Sequence, residues 1–373
     1  MAEVVFVLGA GASVESGAPM MTNFLDVAED LWRTNERGGD DESFERVFKG
    51  ISAFKSVHAQ LALDTTNLET VFSAFEMGAM VGRLGSQTDP DEIAKAAPAM
   101  ARVISRTLTQ TVRFPAPKTR VQAPASYETF VSLLRRIRSP VTKIHRPATR
   151  GPKGVPAVIT LNYDLALDYA LFVGGMPPAY WLSEETHAQG SIKLLKLHGS
   201  LNWGMCRKCQ RVTPWNLSAF FQNRSWQLFY DEPDRTVMLD VFDKLGEFRH
   251  DCGEVVGGAP VVVPPTWNKS DNQLLRNVWQ HAARELSEAR YIVFIGYSFP
   301  ETDMYFQYLL ALGLAGDARI RRIVVVNPDP APGQKLGRAL GVGVRHRLET
   351  VNKGFSASIP DVERLLEVDD RTA

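Results

Sequence analysis

A wholly apolar run, VVFVL at residues 4–8, feeds without interruption into GAGASVESG at residues 9–17. A strand with no polar position cannot turn one face to water, so it belongs in a parallel sheet covered on both sides. Glycines placed directly after such a strand serve either a tight turn or a close approach of the backbone to something else. Two readings of Gly9 and Gly11 follow: a cradle for the phosphates of a dinucleotide, or a strand-to-helix turn that holds no ligand. The stretch is not a GKS/GKT phosphate loop, because no lysine follows the glycines, and it departs from GxGxxG because position 14 is Val. No acidic residue closes a second strand about 20 residues on, where a ribose partner is expected.

Similar short runs recur at PAVITLN (156–162), IKLLKLH (192–198), PVVVP (260–264), YIVFIGY (291–297) and RIVVVN (322–327). Helical patterns alternate with them at about 164–172, 272–289 and 301–314, which predicts a doubly wound, Rossmann-like α/β sheet, mostly parallel. Two stretches break the alternation. Residues 21–139 read mainly as helices, LETVFSAFEMGAMVGRL (68–84) most clearly, and residues 201–255 hold all three cysteines among many aromatics. The predicted organisation is a core of residues 1–20, 140–200 and 256–350, a helical insertion at 21–139, a small cysteine-containing module at 201–255 and a tail at 351–373. Segments 113–126 and 146–156, rich in Pro, Gly and basic residues, read as loops.

The polar residues of interest sit at the carboxyl ends of these strands, where ligands bind in doubly wound folds. TLNYD (160–164), KLHGSLNW (196–203), GYSFPETD (296–303) and VNPD (326–329) each follow an apolar run. Each has a plain alternative. Asn162 and Asp164 suit a helix cap, a lone His198 is ordinarily a hydrogen-bonded structural group, and Ser298 and Asn327 are common loop residues. Their convergence on one edge of the sheet, together with Gly9, Ala10, Gly11 and Ser13, makes a binding crevice the better explanation.

In this order, GAGAS, TLNYD, KLHGS, GYS and VN resemble the sirtuin motifs GAGxS, TQNxD, HG, GTS and IN. The likeness runs from residue 3 to about 330, and KLHGSLNW, PPTWNKSD (264–271) and GYSFPETD are similar to the wording of bacterial sirtuin-like proteins, many of which degrade NAD+ in antiphage defence. The resemblance implies that the backbone at Gly9, Ala10 and Gly11, with Ser13, holds the diphosphate. It implies that Asn162 positions the nicotinamide ribose and the attacking water, that Asp164 binds the carboxamide and that His198 is the general base. Gly296 and Ser298 would contact phosphate or ribose, and Asn327 the adenosine ribose.

Two departures stand out. Where sirtuins carry IPDFR, this chain has GAPMMTNF (17–24), without the Asp and Arg; Phe24 is an open candidate for the aromatic. In place of two CxxC pairs it has Cys206 and Cys209 in CRKC, then Cys252 in HDCG, with His250 as a possible fourth ligand. Zinc accepts a Cys₃His set, yet HxC spacing is tight, so a zinc site and a metal-free knuckle both stand. His58, His145, His187, His281 and His346 match no motif and read as surface or packing residues, and NLETVFSAFE (67–76) reads as a capped amphipathic helix whose Glu69 is a candidate for facing the cleft.

The activity this implies is NAD+ glycohydrolysis to nicotinamide and ADP-ribose, as the NAD-depleting effector of a bacterial defence system. An NAD-dependent lysine deacylase and a non-catalytic NAD or ADP-ribose sensor are the alternatives. Such a hydrolase must be restrained, so a homo-oligomer and a regulatory partner, an ATPase or nucleic-acid-guided protein, are expected. Lys+Arg and Asp+Glu balance at 42 each, which argues against broad capture of nucleic acid. No apolar run nears the roughly 18–20 residues of a membrane span, VVFVL is short for a signal peptide, and three cysteines do not suggest a disulfide framework; a cytoplasmic protein is expected.

Overall fold

The computed structural model describes residues 2–36, 39–55, 63–117, 121–138, 154–183, 187–215, 217, 227–229, 236–240, 249–263, 274–301, 303–315 and 319–366. At its centre β1 (Val4–Leu8), buried at every position, pairs in parallel with β3 (Ala157–Thr160) on one side and β11 (Tyr291–Ile295) on the other. Beyond β3 lie β5 (Ile192–Lys196) and then β4 (Pro178–Ala179); beyond β11 lie β12 (Arg322–Val326) and β13 (Leu348–Val351). All pairings in this seven-stranded sheet are parallel, in the order β13-β12-β11-β1-β3-β5-β4. The chain steps outward from β1 through β3, then returns to β11 on the other side. That reversal places the crevice of a doubly wound fold between the carboxyl ends of β1 and β11.

Helices α1 (Phe24–Arg33), α2 (Asp41–Lys55), α3 (Leu68–Val81) and α4 (Pro90–Thr111) follow β1, with α2 and α3 packed on α4. Asn67 caps α3 by accepting from the N–H groups of Glu69 and Thr70, and Asp89 caps α4 just before Pro90, whose missing N–H costs nothing at a first turn. Helix α5 (Ala125–Arg138) buries Tyr127, Phe130, Val131 and Leu134, one stripe at helical spacing. The Phe130 ring meets Phe6 of β1 edge-on at 5.0 Å, so this helix covers the sheet rather than the insertion's other helices. Helix α6 (Ala166–Val173) follows β3 and packs against α5.

The small module is antiparallel. β6 (Gly199–Cys206) lies between β7 (Val212–Pro214) and β10 (Val256–Val262). PVVVP, expected among the parallel core strands, therefore belongs to this module instead. A short apolar run does not announce which sheet it joins. A second small sheet joins β2 (Phe114–Pro115), β9 (Thr236–Met238) and β8 (Gln227–Phe229), so segment 113–126 contributes a strand and the start of a helix where a loop was expected. Helices α7 (Arg276–Glu288) and α8 (Met304–Gly313) flank β11, and α9 (Ala331–Ala339) and α10 (Val342–Arg345) follow β12. The stretch expected as a C-terminal tail holds the last residue of β13 and a helix, α11 (Phe355–Leu365), that buries Phe355, Ile359 and Val362 against α5 and β12. Most of segment 146–156 and all of PPTWNKSD lie outside the described residues.

Candidate active site

The two glycine loops meet backbone to backbone. The Gly9 N–H donates to Ile295 O at 3.0 Å and the Gly11 N–H to Gly296 O at 2.9 Å. A Cβ on Gly9 would stand 2.7 Å from Gly296 O, and one on Gly296, whose φ is +64°, 2.3 Å from Ala12 N. Real contacts are never so short, so glycine is required at these positions by the approach of the β1 and β11 loops. Ala12 and Ser13 N–H groups close 3-10 turns onto Gly9 O and Ala10 O. The close-approach reading thus accounts for these glycines by themselves.

Ser13 is the node where strand ends join. Its hydroxyl, 1% exposed, donates to Asp164 Oδ2 at 2.7 Å, accepts from Asn162 Nδ2 at 2.9 Å and lies 2.7 Å from the Tyr127 hydroxyl. Asn162 gives its other amide proton to Gly9 O at 2.9 Å. Asp164 Oδ1 also accepts from the N–H of Ala166, the first residue of α6, at 2.9 Å. Burial pushes the Asp164 carboxyl above its ordinary pKa, while the nearby Lys196 ammonium and the Ser13 hydroxyl pull it back. Sequence-predicted residues from β1 and β3 are therefore brought together, with most of their polar atoms engaged with one another.

Behind them lies a buried ion pair that the sequence reading missed. Lys196 Nζ, 1% exposed, donates to Asp164 O at 2.6 Å and to Asp168 Oδ2 at 2.9 Å. Asp168 Oδ1 accepts from the Tyr180 hydroxyl, which in turn accepts from Asn202 Nδ2. A lysine near a strand end reads as surface; here its charge anchors the Asn162–Asp164 loop from below, fully hydrogen-bonded as a buried charge must be.

His198 follows β5, and its carbonyl accepts from the Val263 N–H at 2.8 Å, which ties it to the end of β10. Gly199, at φ +89°, is needed because a Cβ there would meet Val261 O. The imidazole is 4% exposed, and among the described residues neither ring nitrogen has a hydrogen-bond partner of good geometry, although the Val263 backbone acts on the ring and raises its pKa. Its ring centroid lies 6.3 Å from Tyr163 on one side and 6.3 Å from Trp279 on another. Burial lowers its pKa from 6.5, opposed by the Asp303 carboxylate, so the ring is neutral at pH 7. Asp303, from GYSFPETD, caps α8 and accepts from the Tyr297 hydroxyl at 2.7 Å. Glu69 is buried at 7% exposure and acts electrostatically on both Tyr163 and Tyr297, whose phenols are raised chiefly by burial.

Ala10, Ser13, Asn162 and Asp164 line a cavity of about 20 Å³ together with Ala18, Pro19, Met21 and Phe24. Phe24 shares the lining of this cavity with Asn162 and Asp164, while the acidic and basic neighbours of the sirtuin wording are absent. Ser298 is exposed beside this edge. Asn327 follows β12, but its Oδ1 is taken by the Asp329 N–H in a local turn at 3.0 Å. The larger cavity, about 1330 Å³, lies elsewhere, between β4, Trp181 and the cysteine module, and none of the predicted catalytic residues lines it.

In the module, two tight turns face each other. One holds Cys206 and Cys209, the other His250 and Cys252, and their four ligand atoms lie within 4.8 Å of one another. Cys206 Sγ and Cys252 Sγ are 3.6 Å apart, and Cys209 Sγ and His250 Nδ1 3.5 Å. Tetrahedral zinc bonds of about 2.3 Å to sulfur and 2.0–2.1 Å to nitrogen put such atoms about 3.5–3.8 Å apart. The donor set and its spacing fit zinc, and the Cys209 N–H lowers the Cys206 thiol's pKa.

Among solved structures, the chain is similar to a Sir2 homologue in complex with NAD (TM-score 0.42, 16% identity, covering 97% of this chain and 88% of that one). It is likewise similar to Sir2 in complex with the inhibitor EX-527, 2'-O-acetyl-ADP-ribose and a deacetylated p53 peptide (TM-score 0.40, 15% identity, 98% and 94%). No protein-family model matches the chain, and no curated protein does.

Proposed function

We propose that the chain is an enzyme that hydrolyses NAD+ to nicotinamide and ADP-ribose. The observation that carries this reading is His198: a buried, neutral imidazole whose nitrogens meet no hydrogen-bond partner of good geometry among the described residues, set against the Asn162–Asp164 loop at the sheet's crevice. A pure binding module has no need to hold an uncharged base there. Nicotinamide departs with the electron pair of its glycosidic bond and leaves positive charge on the ribose; water then adds to that carbon and gives its proton to His198. General-base assistance of this kind is worth about 10²–10⁴-fold. Asn162, whose two amide protons are bound to the β1 loop, keeps its Oδ1 to orient the water or a ribose hydroxyl. Gly9, Ala10, Gly11 and Ser13 bound the diphosphate side, and Gly296, Ser298 and Asn327 the ribose side.

A cavity of about 20 Å³ holds a water molecule rather than a nucleotide, so this reading requires the cavity to widen when substrate enters. Cys206, Cys209, Cys252 and His250 would hold a zinc ion that clamps the two turns together. The motif resemblance extends the reading to a regulated effector of bacterial defence, working in the cytoplasm as a homo-oligomer under a partner protein; light scattering on the purified chain tests the assembly. The enzymatic test is nicotinamide release from NAD+ with and without an acetyl-lysine peptide. Release that depends on the peptide would make the chain a deacylase instead.

A further inference from the structure

Tyr127 lies on α5, 114 residues from Ser13 in sequence, yet its hydroxyl is 2.7 Å from Ser13 Oγ. It is 1% exposed, and its ring packs edge-on against Phe355 at a centroid distance of 5.4 Å. Ser13 has one proton and two lone pairs. The proton goes to Asp164 and one lone pair to Asn162, so the remaining lone pair accepts from Tyr127. We infer that Tyr127 is a positioning residue for the candidate active site: its hydroxyl locks the Ser13 rotor and thereby holds Asn162 and Asp164 in a single arrangement.

Two observations support the lock. Burial and the Asp164 charge raise the phenol's pKa well above 10, so the donor keeps its proton throughout the neutral range. The C-terminal helix also grips both ends of the contact. Phe355 at its start packs on Tyr127 and Phe130, while the next residue, Ser356, donates its N–H to Glu15 in the loop that carries Ser13, at 3.1 Å.

The inference rests on the proposed NAD+ hydrolysis for its kinetic readout. Tyr127→Phe removes one oxygen and keeps the ring, so kcat for nicotinamide release is expected to fall about tenfold or more, as small displacements of catalytic groups do, with KM changed little. In the double variant Ser13→Ala/Tyr127→Phe, the second change should add no further loss. An unchanged kcat in a Tyr127→Phe protein that merely melts earlier would overturn the lock, and so would multiplicative losses in the double variant. A wild-type chain inert towards NAD+ would count against the enzymatic reading alone. The lock is then read from thermal unfolding of the same variants: non-additive melting shifts uphold it, and additive shifts overturn it.

Discussion

At the scale of single residues, the account turns on His198 being uncharged. A base works unprotonated, so activity is expected to persist as pH falls below 6.5 and to fail once the lowered His198 pKa is crossed. Asp303 opposes that lowering. Asp303→Asn keeps an oxygen to accept from the Phe306 N–H, turns an amide NH₂ toward the Tyr297 hydroxyl oxygen and removes the charge, so the acid limb of kcat/KM should move to still lower pH; a limb that moves upward would contradict the assignment. Much of this was legible in the sequence. Ser13, Asn162, Asp164 and His198 fall at strand ends, and the structure brings the first three into one hydrogen-bonded group. Tyr127 and the Lys196–Asp168 pair were not legible, because nothing local to them marks a partner far along the chain. Asn327 shows the converse: a recognisable motif residue whose Oδ1 serves its own turn.

At the scale of elements, strands β1, β3, β11 and β12 were readable as nearly continuous apolar runs, since burial on both faces leaves few polar positions, and β5 was readable despite Lys193 and Lys196. PVVVP carried the same signal yet pairs antiparallel with β6, and β13, whose LETV is half polar at the sheet's edge, carried almost none. The junction of β1 and β11 makes a sharper claim. Gly296→Ala forces both a left-handed backbone and a 2.3 Å contact with Ala12 N, so it should destabilise the fold by more than the roughly 1–3 kcal/mol of backbone strain alone. Gly343→Ala, in an exposed helical turn with nothing within 4 Å, should instead stabilise by about 0.4–1 kcal/mol. Urea unfolding of the two variants gives opposite signs if the loops truly need their glycines for close packing.

At the scale of the whole molecule, the segment leading into α1 lines the crevice with Pro19, Met21 and Phe24, the small module fixes His198 through Val263, and the C-terminal helix packs on α5. The module's integrity is expected to depend on metal. Elemental analysis should find one zinc per chain in the wild type and none in Cys252→Ser, with a lowered melting temperature; equal melting after thorough chelation would favour a metal-free knuckle. The claim that joins these parts is that they assemble a hydrolase around a neutral histidine. Its most direct test is nicotinamide release from NAD+ by the purified chain beside His198→Ala, without peptide, with NAD+ binding measured in both. The expected result is release by the wild type, a loss of about 10²–10⁴-fold in the variant and binding retained. Release that survives the substitution at the wild-type rate would contradict it.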